Sequence, residues 1–382
     1  MSKRILMLTD ADSFWTRRYI EHVLLPEGHQ VVVFPIWGDQ GTNAGFYRQH
    51  GIKVYQDRHR MPLIRHIPRL RMWVRIWLNG RSLRKLGPFD IIHNHYLSRR
   101  DLALGQALAR AFPKARWVCT FWGSDLLRAS RKALKEMGPY LRRCHAVTVQ
   151  STLHEELLQK VYGEAVTRKT VLVQFGVTVF KEIDKIEETM TKAQCKAHFG
   201  IGQEQRVVCV GSNASPAQHQ PEVLSALAQI PPEELSTITI VLQMTYGGHD
   251  EDYVRQVEEK AAALPCRCVF LREFLDGEES AKLRKAADVF ILAVQTDAFS
   301  ASMREYLYAG AQVITGDWLH YPQLLESRIQ TTHFADYDEL PSLLVSVLMS
   351  PIPHQERERR RMELGSRYSW EAVRRDWLAT YT

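Results

Sequence analysis

Six cysteines in 382 residues, at 119, 144, 195, 209, 266 and 268, show no C-x-x-C spacing and no accompanying pairs of histidines. That scarcity excludes a zinc finger or ribbon and speaks against a disulfide framework, so the thiols read as free and the compartment as reducing. Cys266 and Cys268 share one face of an expected strand and read as buried thiols. No uninterrupted apolar run approaches the ~18 residues of a membrane-spanning helix. The opening MSKRILMLTDADSF holds a short apolar run ending at Asp10, which reads as a first strand and not as a signal peptide. Internal repeats, low-complexity tracts, a phosphate-binding P-loop and a Ser-His-Asp arrangement are all missing.

What is present is a chain with enough apolar residues, 45%, for packed interiors, and too long for one ordinary core. Fifty Lys and Arg against 43 acids give a formal charge of +7, which suits an anionic partner: nucleotide phosphates, an anionic bilayer or nucleic acid. Apolar runs at 4–9, 30–36, 90–95, 116–121, 146–151 and 170–175 alternate with helical patterns such as RDLALGQALARAF and TLHEELLQKVY. After Gly176 a charged stretch without a long apolar run reads as a linker and an entry helix. The pattern then restarts at 206–212, 237–244, 266–271, 288–294 and 311–316. Short buried strands alternating with helices predict an α/β chain of two Rossmann-like, doubly wound parallel-sheet domains. Their strand ends are expected to face a cleft between them. The expected boundaries are 1–184, 185–364 and a closing helix over 365–382 that packs back on the first domain.

Candidate chemistry gathers after the strand DVFILAV. Ser300 and Ser302 are N-cap candidates for the helix that follows, and unpaired first-turn N–H groups at a strand's C-terminal end form a ready site for a diphosphate. Glu305, one turn in, can accept from ribose hydroxyls, and Asp297 from a second ring. The alternative is that these acids merely complement the helix dipole.

TDAFSASMREYLYAGAQVITG places Asp297 eight positions before Glu305, ahead of an Ala-Gly pair and a strand. In this it resembles the retaining GT-B glycosyltransferases, notably glycosyltransferase family 4, whose first acid is usually Glu. Further segments resemble that family in order along the chain: EGHQVVVF, FDIIHNHY, TFWGSD, FGVTVF and the closing SRYSWEAVRRDWLATY. The chain departs from the family in lacking a Gly-Gly turn after its first strand. It also lacks the Arg and Lys that hold the donor diphosphate, having VGSNASPAQHQ at 210–220. This stretch, with MTYGGHDEDYVRQV, resembles lipid-linked-glycan transferases of enterobacterial common antigen assembly.

The resemblance implies a GT-B fold and transfer, with retention, from a nucleotide-diphosphate sugar to a glycan or lipid-linked saccharide in cell-surface polysaccharide synthesis. It implies donor contacts from Asn213, His219, Tyr246, Asp297, Phe299, Ser300, Ala301, Ser302 and Glu305, with Asp297 and Glu305 in the catalytic roles. His95, Trp122 and Asp125 would line the acceptor side. A pair such as His93 and His95 is otherwise usually a packed or hydrogen-bonded feature. No resident cofactor or metal is expected, and HDED at 249–252 reads as the acidic start of a helix. Residues 58–89 carry nine Lys or Arg and no acid, and PRLRMWVRIWLNG sets Leu70, Trp73, Val74 and Trp77 on one helical face. Arg58, Arg60, Arg65, Arg71, Trp73 and Arg75 could rest on an anionic bilayer; the alternative is a helix docked on its own sheet. The expected location is cytoplasmic, peripheral to the inner face of the cell membrane. A non-catalytic GT-B-like protein that binds glycan or a partner is the rival reading, and nucleic-acid binding lacks an aromatic platform.

Overall fold

The computed structural model describes residues 2–36, 41–55, 67–245 and 250–382, with the side chains of 68, 69, 71 and 72 outside the description. The chain forms two units: Met1–Gly176 with Trp370–Thr382, and Val177–Ser369.

The first unit is a parallel sheet in the order β3-β2-β1-β4-β5-β6-β7. Its strands are β1 (Arg4–Thr9), β2 (Gln30–Pro35), β3 (Lys53–Val54), β4 (Ile91–His95), β5 (Arg116–Thr120), β6 (Ala146–Val149) and β7 (Thr170–Leu172). Side chains alternate across a strand, so Leu6 and Leu8 enter one apolar cluster with Val32 and Phe34. Ile5 and Met7 enter another with Val31 and Val33. Both faces are covered, which is why these strands are apolar throughout rather than alternating. Serines open the crossover helices: Ser98 accepts from the Asp101 N–H ahead of Arg99–Ala111, and Ser151 from the His154 N–H ahead of Thr152–Tyr162.

The second unit repeats the plan in the order β10-β9-β8-β11-β12-β13, also all parallel. Its strands are β8 (Arg206–Val210), β9 (Ile238–Gln243), β10 (Arg267–Leu271), β11 (Val289–Leu292), β12 (Gln312–Gly316) and β13 (Thr332–Phe334). Val207 and Cys209 face one core, Val208 and Val210 the other.

The boundary falls at Gly176–Val177 and not at 184. The charged stretch after Gly176 forms the helices Phe180–Thr189 and Lys192–His198, and Phe180, Ile183 and Ile186 pack into the second unit's core. The helix His354–Tyr368 stays wholly in the second unit, so the returning segment starts at Trp370 rather than 365. In the first unit, the helix Trp370–Ala379 donates from Trp377 Nε1 to Gln174 O (2.7 Å) and from Arg374 Nε to His22 O (2.7 Å). Gly176 allows this: a Cβ there would come 2.4 Å from the Trp370 ring and 2.6 Å from its Cα. All six cysteines are free thiols. Among the described residues no helix is long and apolar enough to cross a membrane.

Candidate functional site

In the second unit the strand order reverses between β8 and β11, and the loops leaving those two strands flank the point where open parallel sheets bind ligands. Gly211 N–H donates to Ile291 O (3.1 Å), tying the two exits together. Gly211 has φ +67°, and a Cβ would meet Gln220 Nε2 at 2.9 Å and Gln218 Oε1 at 3.1 Å, so the tight approach needs glycine. The 211–219 loop is braced from inside. Ser212 N–H donates to Gln218 Oε1 (2.9 Å), and Ser215 N–H to Asn213 Oδ1 (2.9 Å). Gln220, fully buried, donates to Val210 O (3.0 Å) and accepts from Tyr253 Oη (3.0 Å). His219 stands at the start of the helix Gln220–Leu227 with φ +52°, its Nδ1 3.7 Å from Glu222 Oε1.

From β11 the chain runs through Asp297 to Ser300, whose Oγ accepts from Met303 N–H (3.2 Å) and caps the helix Ala301–Tyr308. Ser302 and Ala301 are half-buried in its first turn, and Phe299 is 3% exposed. Asp297 Oδ2 accepts from Tyr321 Oη (3.1 Å); burial, then the Asp297 charge, pushes that hydroxyl's pKa well up. Glu305 is 9% exposed, and its partner was not legible in the sequence. Arg284, from the helix Gly277–Ala286, donates Nε (3.1 Å) and Nη2 (2.9 Å) to the same oxygen, Oε2. Its Nη1 reaches Gln243 Oε1 (3.0 Å), at the end of β9, and Tyr306 Oη (3.1 Å). Tyr306 stacks on Phe290 of β11 at 4.2 Å between ring centroids. Burial opposes the Arg284 charge, but Tyr306 and Glu305 beside it outweigh that and raise its pKa. One oxygen of Glu305 is thus fixed from inside. Tyr246 lies outside the described residues. Asp250 caps the helix Glu251–Ala262 by accepting from Tyr253 N–H, the helix-start role expected of HDED.

In the first unit the reversal lies between β1 and β4, where Thr9 Oγ1 donates to His95 O (3.0 Å). His95 has no exposed surface: Tyr19 (4.6 Å between centroids), Trp122 (5.2 Å) and Phe175 (5.6 Å) enclose its ring. Burial, and secondarily His93, holds its pKa well below the usual imidazole value. As an acceptor contact it is therefore corrected to an interior residue. His93 is the centre of a buried polar chain. Its Nδ1 bonds Tyr381 Oη (2.8 Å), which shares a bond with Tyr19 Oη (2.7 Å), and its Nε2 bonds Thr120 Oγ1 (2.6 Å).

Asp125 is corrected likewise. Its carboxylate accepts from the N–H groups of Leu97 (2.8 Å), Trp122 (2.8 Å) and Gly123 (3.1 Å), binding the β4 and β5 loops to each other rather than facing an acceptor. Burial pushes its pKa up to about 7 against the pull of those donors. Trp122 is half-buried over His95. Tyr96, directly after β4, takes φ 121°, a conformation unusual for a side chain of any bulk.

On the helix Pro68–Arg84, Leu70, Trp73 and Trp77 are exposed (46%, 45% and 62%), and the Arg81 guanidinium lies 5.9 Å from the Trp77 ring centroid. Ile76 and Leu83 dock the adjoining side into the core. Arg75, expected against an anionic bilayer, is half-buried with Asn79, Arg100 and Asp101 around a small cavity. Arg58, Arg60 and Arg65 lie outside the described residues, and of Arg71 only the backbone is described.

The family model described as Glycosyltransferase Family 4 matches residues 19–179, most of the first unit. No curated protein matches the sequence. Among solved structures, a glycosyltransferase from Rickettsia africae superposes with a TM-score of 0.76 at 16% identity, covering 100% of this chain and 98% of the other. Sucrose-phosphate synthase from Thermosynechococcus elongatus gives 0.74 at 17%, covering 99% and 98%. HepE from Anabaena, in complex with UDP and glucose, gives 0.72 at 15%, covering 99% of each chain. At such identities the likeness is one of fold, and the fold is GT-B.

Proposed function

We propose that this chain, a glycosyltransferase of the GT-B fold with a family 4 domain in its first unit, moves a sugar from a nucleotide-diphosphate donor to a glycan or lipid-linked saccharide. The observation that carries the donor site is the pairing of Glu305 with Arg284 at the point where strand order reverses in the second unit. With Oε2 held by the guanidinium, Oε1 is left to accept from ribose hydroxyls. The first-turn N–H groups of Ala301 and Ser302 and the Ser302 hydroxyl suit the diphosphate. Asn213 and His219 approach it from the β8 loop, and Asp297 orients the sugar with Phe299 beneath. The structure of HepE with UDP-glucose supports a uridine donor by analogy of fold.

The reaction retains anomeric configuration by front-side displacement, the leaving phosphate assisting deprotonation of the acceptor. Catalysis then rests on positioning and on fixed donors around the departing charge, with no resident metal or cofactor. The exposed face of Leu70, Trp73 and Trp77, with Arg81 beside it, seats the protein on the anionic cytoplasmic surface of the cell membrane. There it meets a lipid-linked acceptor in cell-surface polysaccharide synthesis. Calorimetry with UDP, GDP and dTDP tests the donor site: the intact protein binds at least one, and Glu305→Ala weakens it about tenfold or more. Unchanged affinity in that variant removes Glu305 from the site. The loop 211–219 has no Lys or Arg, which favours a second reading as a glycan-binding protein without activity. Nucleotide binding by none of the three would support it.

A further inference from the structure

A second arginine lies in the same helix as Glu305, one position earlier, and nothing in the sequence pattern marks it. Arg304 is 1% exposed, and its side chain turns back toward the helix start instead of outward. Nε donates to Ser300 O (3.3 Å) and Nη2 to Phe299 O (3.2 Å). Its guanidinium lies over the Phe299 ring (4.6 Å to the centroid) and over Tyr368 (5.3 Å). Tyr321, in contact with Phe299, in turn donates to Asp297.

This is an awkward place for a cation. It is desolvated, and it sits at the N-terminal end of a helix, whose partial charge is positive. Burial lowers its pKa to about 10, opposed by Tyr368 and Asp297. Its geometry has a definite effect on the backbone. A trans peptide is planar, so its C=O and N–H point in opposite directions. Drawing the carbonyls of Phe299 and Ser300 inward onto one guanidinium aims the N–H groups of Ser300 and Ala301 away from the core. Those are the amides at the mouth of the helix Ala301–Tyr308. Ser300 O also accepts the Arg304 backbone N–H (3.2 Å), so both ends of the residue grip the same carbonyl.

We propose that Arg304 is a positioning residue for the donor diphosphate, fixing the Ser300 and Ala301 amides as preorganised donors to a phosphate oxygen. The proposal rests on reading the second unit as the donor site. It explains how a phosphate site is held where the β8 loop offers no Lys or Arg: the side-chain cation acts from beneath, through the backbone. Preorganised amides cost little reorganisation when charge arrives, which is where such donors are most effective.

The test compares calorimetric affinities for UDP and uridine, GDP and guanosine, and dTDP and thymidine, in the intact chain and in Arg304→Met and Arg304→Lys. Arg304→Met is expected to weaken the diphosphate about tenfold while the nucleoside changes less than about twofold, so the ratio of the two collapses. Arg304→Lys, which keeps a charge and its donors but lacks the rigid planar fork that holds the two carbonyls in fixed directions, should fall between. If Arg304→Met does not fold, as judged by circular dichroism, the Arg304→Lys ratio decides alone. A ratio unchanged in the folded variants, with both ligands weakened equally, overturns the positioning role and leaves the donor site standing. Failure of the intact chain to bind any of the six overturns the donor site itself, and this inference with it.

Discussion

Glu305 and Arg284 come from separate helices and meet almost wholly out of water. Removing one partner of such a pair strands the other, at a cost of about 3–5 kcal/mol, whereas replacing both by apolar groups often costs little. Arg284→Met should therefore lower the urea midpoint markedly, and adding Glu305→Leu should restore most of it. Nucleotide affinity should stay lost in both variants; a double variant that binds like the parent would separate this pair from donor recognition. His93 makes a different prediction. Burial pushes its pKa down to about 3, from an ordinary value of 6.5. Between those limits the unfolded chain binds a proton that the folded one does not, so stability falls as pH drops, by about 1.4 kcal/mol per pH unit. His93→Gln should flatten the stability–pH profile between pH 6 and 4.5 by one proton. Urea unfolding across that range checks it, and a slope equal to the parent's would place the titration elsewhere.

The apolar face of the helix Pro68–Arg84 has a consequence of its own. Trp73→Ser with Trp77→Ser should reduce sedimentation with phosphatidylglycerol-containing vesicles about tenfold while leaving the melting temperature unchanged, since neither ring enters the core. Retained sedimentation would move membrane contact off this face. Periodicity found this face, but periodicity alone does not say which side meets the sheet; Ile76 and Leu83, not the tryptophans, are the docking residues. The long strands were legible because each is an apolar run bounded by turns. β3 and β13, two and three residues at sheet edges, carry too little pattern to be seen. Ser300 was legible as a cap from local chemistry. Arg284 was not, because its pairing with Glu305 spans 21 positions and two helices. The resemblance set Asp125 and His95 on the acceptor side, with packing the usual alternative for the histidine, but an acid near a W-G turn looks the same in sequence whether it meets a ligand or three backbone N–H groups.

At the scale of the molecule, the second unit is one continuous stretch, Val177–Ser369, and the first is not. Trp370, Trp377 and Tyr381 are 2%, 0% and 2% exposed within the first unit's core, and Tyr381 completes the chain of hydroxyls through His93. A fragment 177–369 should therefore fold alone with a cooperative melt. A fragment 1–176 should bind hydrophobic dye and aggregate, and adding a peptide of residues 370–382 should relieve both. A cooperative, dye-free 1–176 would show that the returning segment is dispensable. The same discontinuity orders events during synthesis. A ribosome finishes the second unit before it makes the residues that close the first, so the first sheet waits, with the Tyr19 and His93 sites unfilled, until the last turns of helix emerge. The unit translated first is the one completed last, and that interval is when a chaperone would find this chain most in need of cover.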